Sequence, residues 1–362
     1  MYIAMITDAL LMRAFMIGDT ISQISLSNYL IGVTSGLLAC NWFGLLRGRA
    51  NYSVPGLFIL KSTLFASYFI PACKISSTLA LPLLFYAPIY LNLAEFFGSS
   101  WMHFLMPQSL ADYVSGKLCC ELVKTAEIRE QCIIAIHPHA ILPLGGFLNT
   151  CRTSKVFDLE FEKLRKRLTI AASSCFIFPF YRELLITLGI VDCSRTCAER
   201  WLSDGYTLCV FPGGAREGLY SNPDVDWLDL KRKTGFIRLA LQAGVPVVPA
   251  FTFNEVSYVK QLDYMSVHSW SFFRIIREQF QRTFGLSLPI PYKAGFDFQS
   301  DSVPISSKLV TVVGSPIKFP RKDCPTETDL HQYMEIYSSE LTKLYNKHAE
   351  KFNTKKRDLI IS

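Results

Sequence analysis

Charge is almost missing from the first third of the chain and returns abruptly after it. Residues 1–110 hold eight charged side chains: Asp8, Arg13, Asp19, Arg47, Arg49, Lys61, Lys74 and Glu95. No charge falls between Asp19 and Arg47, and residues 28–46 form an apolar run long enough to cross a bilayer. A second run, 54–73, is interrupted by Lys61, and a third, 75–94, is uncharged but contains Pro82 and Pro88. Proline kinks a helix and frees a carbonyl that lipid cannot satisfy, so 75–94 reads as a bent, re-entrant or interfacial piece. The alternative is three core helices of a globular protein. Three such runs in succession are hard to bury, which favours membrane attachment. Arg47 and Arg49 place their end of the first run on the cytosolic side.

From about residue 110 the pattern alternates between short apolar runs and helical periodicities. Strands are predicted at Cys132–Ile136, Tyr206–Phe211, Val245–Phe253 and Leu309–Val313. Helices are predicted near Leu159–Leu168, at Tyr181–Leu188, at Gly235–Ala243 between a Thr234 cap and Gly244, and around Trp270–Phe284. A last helix starts at the capping box Thr326-x-x-Asp329 and runs to Phe352. Strands separated by helices imply an α/β fold with a mostly parallel sheet flanked by helices. The organisation expected is a membrane-embedded region over 1–110 and one catalytic domain over 111–362, facing the cytosol.

Composition sharpens this picture. The chain is 50% hydrophobic and only 19% charged, against roughly 25% in soluble domains. The net charge of +7 suits an anionic membrane surface or an anionic acyl carrier, and is too diffuse to argue for nucleic acid. Eleven cysteines without any C-x-x-C pair read as reduced thiols in a cytosol-facing protein. Asp8 and the lack of a basic stretch before the first apolar run speak against a secretory signal.

Three segments carry candidate chemistry, each at a predicted strand end or helix start, where ligands gather in parallel sheets. His137-Pro138-His139-Ala140 directly follows the strand Cys132–Ile136. A histidine there suits a general base; a metal pair or a structural pair are the alternatives, and no third ligand at metal spacing is visible. Phe211-Pro212-Gly213-Gly214-Ala215-Arg216-Glu217-Gly218 also follows a strand. Its glycines bring backbone N–H groups near an oxyanion, Glu217 is placed to orient a histidine, and Arg216 to meet a phosphate; a plain glycine turn is the alternative. Lys231-Arg232-Lys233-Thr234-Gly235-Phe236-Ile237-Arg238 puts a basic cluster at a helix start, which is an anion site or a solvated face. Neither a nucleotide P-loop nor a G-x-S-x-G elbow occurs.

The order His-Pro-His, Gly-Gly-Ala-x-Glu, then Lys/Arg-x-Gly-Phe resembles the type-2 diacylglycerol acyltransferase family. Val247–Glu255, Val310–Ile317 and Leu341–Phe352 agree as well, so the resemblance covers about residues 110–353. It implies a glycerolipid acyltransferase-like domain with an N-terminal membrane hairpin. It also implies transfer of a fatty acyl group from acyl-CoA to diacylglycerol, with monoacylglycerol, a long-chain alcohol or a sterol as other acceptors. The partners implied are acyl-CoA as co-substrate, a neutral lipid acceptor and the bilayer; no tightly bound cofactor or metal is required, and self-association stays open. The location implied is the endoplasmic reticulum membrane, with lipid droplets as a second.

Carried over residue by residue, the family's catalytic His-Pro-His-Gly becomes His137, Pro138, His139 and Ala140. Its Gly-Gly-Ala-x-Glu gives Gly213, Gly214 and Glu217, and its Arg-x-Gly-Phe gives Arg232 or Lys233 with Gly235 and Phe236. On this basis His139, or less favourably His137, takes the proton of the acceptor hydroxyl, and Glu217 orients or charge-balances the imidazole. The amides near Gly213 and Gly214 steady the oxyanion, while Arg232, Lys233 and Arg238 meet CoA phosphates. Two departures stand out: Ala140 replaces the motif glycine, and Asn254 replaces the glycine of Phe-Gly-Glu. A positive φ would cost alanine more than asparagine. Lysophosphatidate-type enzymes place Asp after His with four residues between; here Leu142 and Leu144 stand there. A catalytically silent lipid-binding relative is the reading from another class.

Overall fold

The computed structural model describes residues 65, 86–87, 89–91, 94–97, 108–178, 180–261, 272–287, 291–294, 308–353 and 356–362. The apolar run 28–46 lies outside these residues, as do most of 54–73 and 75–94. Among the described residues no helix is long and apolar enough to cross a membrane. The chain divides into two compact units, 1–92 and 93–362. In the first, Phe65, Ala87 and Tyr90 form a small apolar cluster.

Among its described residues the second unit carries eleven strands and the helices between them. In chain order they are α1 (Ala94–Phe97), α2 (Gln108–Lys117), β1 (Cys120–Lys124), β2 (Ile133–His137), α3 (Leu144–Thr150) and α4 (Lys155–Glu160). Then come β3 (Arg167–Ala171), α5 (Tyr181–Thr187), β4 (Ile190–Asp192), α6 (Arg195–Ser203), β5 (Thr207–Val210), α7 (Gly214–Leu219) and β6 (Asp226–Leu228). They are followed by α8 (Gly235–Ala243), β7 (Val247–Phe253), α9 (Glu255–Tyr258), β8 (Val259–Gln261) and α10 (Phe272–Phe284). The series closes with β9 (Pro291–Ala294), β10 (Leu309–Val313), α11 (Glu327–Phe352) and β11 (Leu359–Ile361).

The main sheet has seven strands in the order β1-β10-β7-β2-β5-β3-β4. Strands β7, β2, β5, β3 and β4 run parallel to one another, while β10 pairs antiparallel with β7 and carries β1 parallel to itself. A mostly parallel α/β sheet is therefore present, with a reversed pair on one edge. Alternation along β2 divides its side chains between the two faces. Ile134 and Ile136 join Phe157, Phe161, Val248 and Ala250 in one core cluster. The opposite face of β7 meets α11, where Phe251 and Phe253 pack on Tyr345.

Several predicted elements are observed with little change. Leu309–Val313 is β10, and α11 begins at the capping box, in which the Thr326 hydroxyl accepts from the Asp329 amide and the Asp329 carboxylate from the Thr326 amide. Helix α8 spans Gly235–Ala243 and ends at Gly244 with φ +69°, although Thr234 is itself helical and makes no side-chain cap. The helix predicted near Leu159–Leu168 is not there: α4 stops at Glu160, and Leu168 lies in β3. The cause is tertiary. Buried Arg167 donates to the Thr150 and Cys151 carbonyls at the end of α3, at 2.8 and 2.6 Å, which fixes that segment as a strand.

Candidate active site

Strand β2 ends at His137, flanked by β5 and β7, so the histidine motif leaves the sheet at the carboxyl edge of its parallel strands. The two rings have different surroundings. His137 is fully buried, and its Nε2 lies 2.9 Å from the Tyr337 hydroxyl of α11, which donates to the Ala135 carbonyl at 3.3 Å. Its Nδ1 is buried with no hydrogen-bond partner among the described residues. Burial pushes the His137 imidazole down to about 3, so it is neutral near pH 7. Phe236 packs edge-on against Tyr337 with ring centroids 5.0 Å apart, so the Gly235-Phe236 element reaches His137 through that tyrosine.

The His139 ring is half-buried against the edge of Phe211. Its Nδ1 lies 3.0 Å from the Ala140 carbonyl oxygen. A carbonyl only accepts, so Nδ1 carries the hydrogen and Nε2 keeps its lone pair. Burial also holds this imidazole below the usual histidine range, which favours the neutral form. Ala140 itself sits at φ +48°, in the left-handed region, and Asn254 at φ +69°. The asparagine amide compensates by donating to the Lys308 and Phe352 carbonyls, at 2.9 and 3.0 Å.

Glu217 is close to His139 but does not hold its imidazole. One oxygen accepts from the His139 backbone amide at 2.7 Å, and the other from the Asp229 amide at 3.0 Å. The carboxylate thus orients the chain on which the ring is mounted, a correction to its expected contact with the imidazole. Burial pushes the Glu217 carboxyl up to about 7, against the lowering effect of the two amides. Gly213 is needed here sterically, because a Cβ built on it would lie 1.8 Å from the Glu217 carboxyl carbon. The Gly214 amide donates to the Phe211 carbonyl at 3.1 Å.

The basic cluster is divided rather than shared. Asp229, which the sequence did not single out, accepts from Arg216 at 2.7 Å and faces Lys233 at 3.6 Å. Arg232 is exposed. Arg238 pairs with Glu327 at 2.8 Å, ten residues before Tyr337 on α11. Glu327 stands roughly 15 Å of helix from the His137 contact. Gly235 has open space around it and no steric demand.

Two further residues complete the site. Tyr337 belongs to the buried stripe Leu330, Met334, Tyr337, Leu341 and Leu344, which identifies it in sequence only as core. Glu255 accepts from the Gly145 and Gly146 amides, at 3.0 and 2.9 Å, and burial pushes it up to about 7. The segment from His139 to Gly146 is therefore held at both ends by buried carboxylates. A small crevice lined by Pro138, Ala140, Glu217 and Trp227 opens beside it. A larger cavity of about 530 Å³, lined among others by Cys119, Cys120, Cys151 and Lys308, holds none of the predicted site residues. Among the described residues no group of three or more His, Cys, Asp or Glu side chains could hold a metal ion.

The profile of the family described as diacylglycerol acyltransferase matches residues 79–362, well over half of the chain. The chain belongs to that family. It is 33% identical over 248 residues to human diacylglycerol O-acyltransferase 2, covering 66% of this chain and 63% of the relative. It is 32% identical over 251 residues to human 2-acylglycerol O-acyltransferase 3, covering 67% and 71%. A Dictyostelium discoideum diacylglycerol O-acyltransferase 2 is 31% identical over 223 residues, covering 61% and 66%. The match thus spans a little under two thirds of the human diacylglycerol relative's length. No solved structure matches.

Proposed function

We propose that this family member is a membrane-bound O-acyltransferase that moves a fatty acyl group from acyl-CoA to diacylglycerol, forming triacylglycerol. The observation that carries the reading is the His139 ring: neutral, half-buried, with Nδ1–H fixed on the Ala140 carbonyl and Nε2 left as the base. In this mechanism Nε2 takes the proton of the acceptor hydroxyl while its oxygen attacks the thioester carbonyl carbon. The carbon–sulfur bond then breaks, and the imidazolium returns the proton to the CoA thiolate. Fully buried His137 acts on position rather than on the proton. Glu217 holds the His139 backbone, and Arg232 and Lys233 are the candidates to meet CoA phosphates.

The similarity to 2-acylglycerol O-acyltransferase 3 supports monoacylglycerol as the second acceptor to consider. The proposed location is the endoplasmic reticulum membrane, with the catalytic unit towards the cytosol and lipid droplets as a further site. Diacylglycerol stays in the bilayer while acyl-CoA presents a polar head to water, and an interfacial active site meets both.

The test is an acyl-transfer assay in membranes from cells lacking their own triacylglycerol synthases. Radiolabelled acyl-CoA is supplied with diacylglycerol, monoacylglycerol, long-chain alcohol, sterol or lysophospholipid. Label in triacylglycerol is expected, falling at least a hundredfold in His139→Ala at equal protein level. Unchanged synthesis in His139→Ala would reject the mechanism, and no label in any product would favour the silent lipid-binding reading.

A further inference from the structure

The carboxyl edge of the sheet carries a second unusual feature, two strands along from the histidines. In the order β2-β5-β3, strand β3 lies two spacings from β2, roughly 10 Å, and runs parallel to it. The chain leaving β3 passes through the short helical turn Ser173–Ile177 and enters α5 at Tyr181. Along this stretch apolar side chains face outward: Phe178 is 46% exposed, Phe180 65%, Tyr181 47% and Leu184 47%. Isolated exposed apolar residues need no explanation, but four within seven positions form a patch that does.

The charges of the same segment are turned away from that surface. Arg182 is fully buried and donates through Nε to Glu95 at 3.0 Å and through Nη1 to Glu183 at 2.6 Å. The second Glu183 oxygen accepts from the Phe180 amide at 2.9 Å. An aqueous surface would reverse this arrangement, with charges outward and rings inward. Glu95 also indicates what covers the patch. It lies in α1, which packs on α5 and β4 and begins at the last residue of the uncharged run 75–94. The uncharged run thus ends on a helix packed against the segment that bears the patch.

We propose that Phe178, Phe180, Tyr181 and Leu184 form a bilayer-contacting surface, which seats the carboxyl edge of the sheet at the lipid interface so that a lipid acceptor reaches His139 without leaving the membrane. This rests on the acyl-transfer reading for its purpose, not for its chemistry. Aromatic and aliphatic side chains free of outward charge suit the boundary between headgroups and acyl chains.

The test reconstitutes the full-length protein in phosphatidylcholine vesicles containing a phosphatidylcholine with a diazirine in its acyl chain. Lipid adducts are expected on the 178–184 peptide and not on the control peptide around exposed Ile336. Adducts missing from 178–184, or equal on both peptides, overturn the proposal, as does a crosslink of 178–184 to this chain's own N-terminal region in their place. The triple variant Phe178→Ser, Tyr181→Ser, Leu184→Ser should lose at least tenfold in transfer to bilayer dioleoylglycerol. Its transfer to soluble dihexanoylglycerol should stay within twofold of wild type. Equal loss on both substrates would mark the patch as structural and overturn the proposal. Wild type inactive on both would sink the acyl-transfer reading, while the lipid adducts would still decide the surface.

Discussion

Glu217 and Glu255 are two buried carboxylates with one architecture and different consequences. Each accepts two backbone amides, each is pushed up to about 7 by burial, and each lies against a glycine whose missing Cβ makes room for it. Glu217 is tied to the His139 amide itself, whereas Glu255 is tied to Gly145 and Gly146, at the start of α3. The first should govern where the base stands, and the second how the loop behind it is closed. A buried carboxylate near a histidine is thus not by itself a charge partner, because its strongest acceptor sites here are filled by the main chain.

Substitution of the supporting glycines should give the largest effect. Gly213→Ala drives a methyl into the Glu217 carboxylate, and Gly145→Ala drives one to 2.6 Å from Leu309 Cβ. Overpacking costs about 3 kcal/mol in such settings, with Gly213→Ala expected to be the worse. Thermal unfolding of both variants in detergent checks this, and equal tolerance of the two would break the comparison. Next come Glu217→Gln and Glu255→Gln. Each sets an amide donor against a backbone N–H and should cost about 2 kcal/mol. Activity should fall more than tenfold for Glu217→Gln and less than threefold for Glu255→Gln; equal losses would show that the two carboxylates act alike.

Tyr337→Phe extends the contrast to His137. It removes the hydroxyl beside Nε2 and should cost about 1–2 kcal/mol by leaving a buried ring nitrogen unpaired. A melting temperature unchanged from wild type would count against the contact. The smallest effect should come from Ala140→Gly, which relieves a residue held at φ +48° and should stabilise by about 0.5–1 kcal/mol. A destabilised glycine variant would contradict the strain.

The two glutamates also set a pH signature. Their folded values lie above the ordinary 4.5, so the folded state holds these protons more tightly than the unfolded one. The stability they confer is fully present below pH 4.5 and is lost as pH rises through about 7. His137 acts oppositely: its value drops from 6.5 to about 3, so its contribution is present above pH 6.5 and lost as pH falls. Glu255→Gln should therefore lose less stability than wild type between pH 5 and about 7.5. Parallel melting curves for the two proteins across that window would refute the assignment.

Much of this was legible in the residues because the signals are local. The capping box Thr326-x-x-Asp329, the β-branched strand at Leu309–Val313 and Gly244 closing α8 each depend on a few adjacent positions. Strands β3 and β4 were not legible, since each buries a charged residue, Arg167 and Asp192, and Arg167 is buried only because the Thr150 and Cys151 carbonyls, distant in sequence, meet it. At the site, His137, His139 and Glu217 stood out by type and spacing, whereas Asp229 and Tyr337 carry no motif.

Chain order alone determined the α/β alternation, the apolar first third and the family motifs. Tertiary structure decided which histidine keeps an accessible ring, that Glu217 holds a backbone rather than an imidazole, and that Arg238 belongs to Glu327. The division has a physical reason. Hydrophobic periodicity, caps and turns depend on neighbours in sequence, but the state of a buried polar group depends on whichever donor folding brings within 3 Å of it.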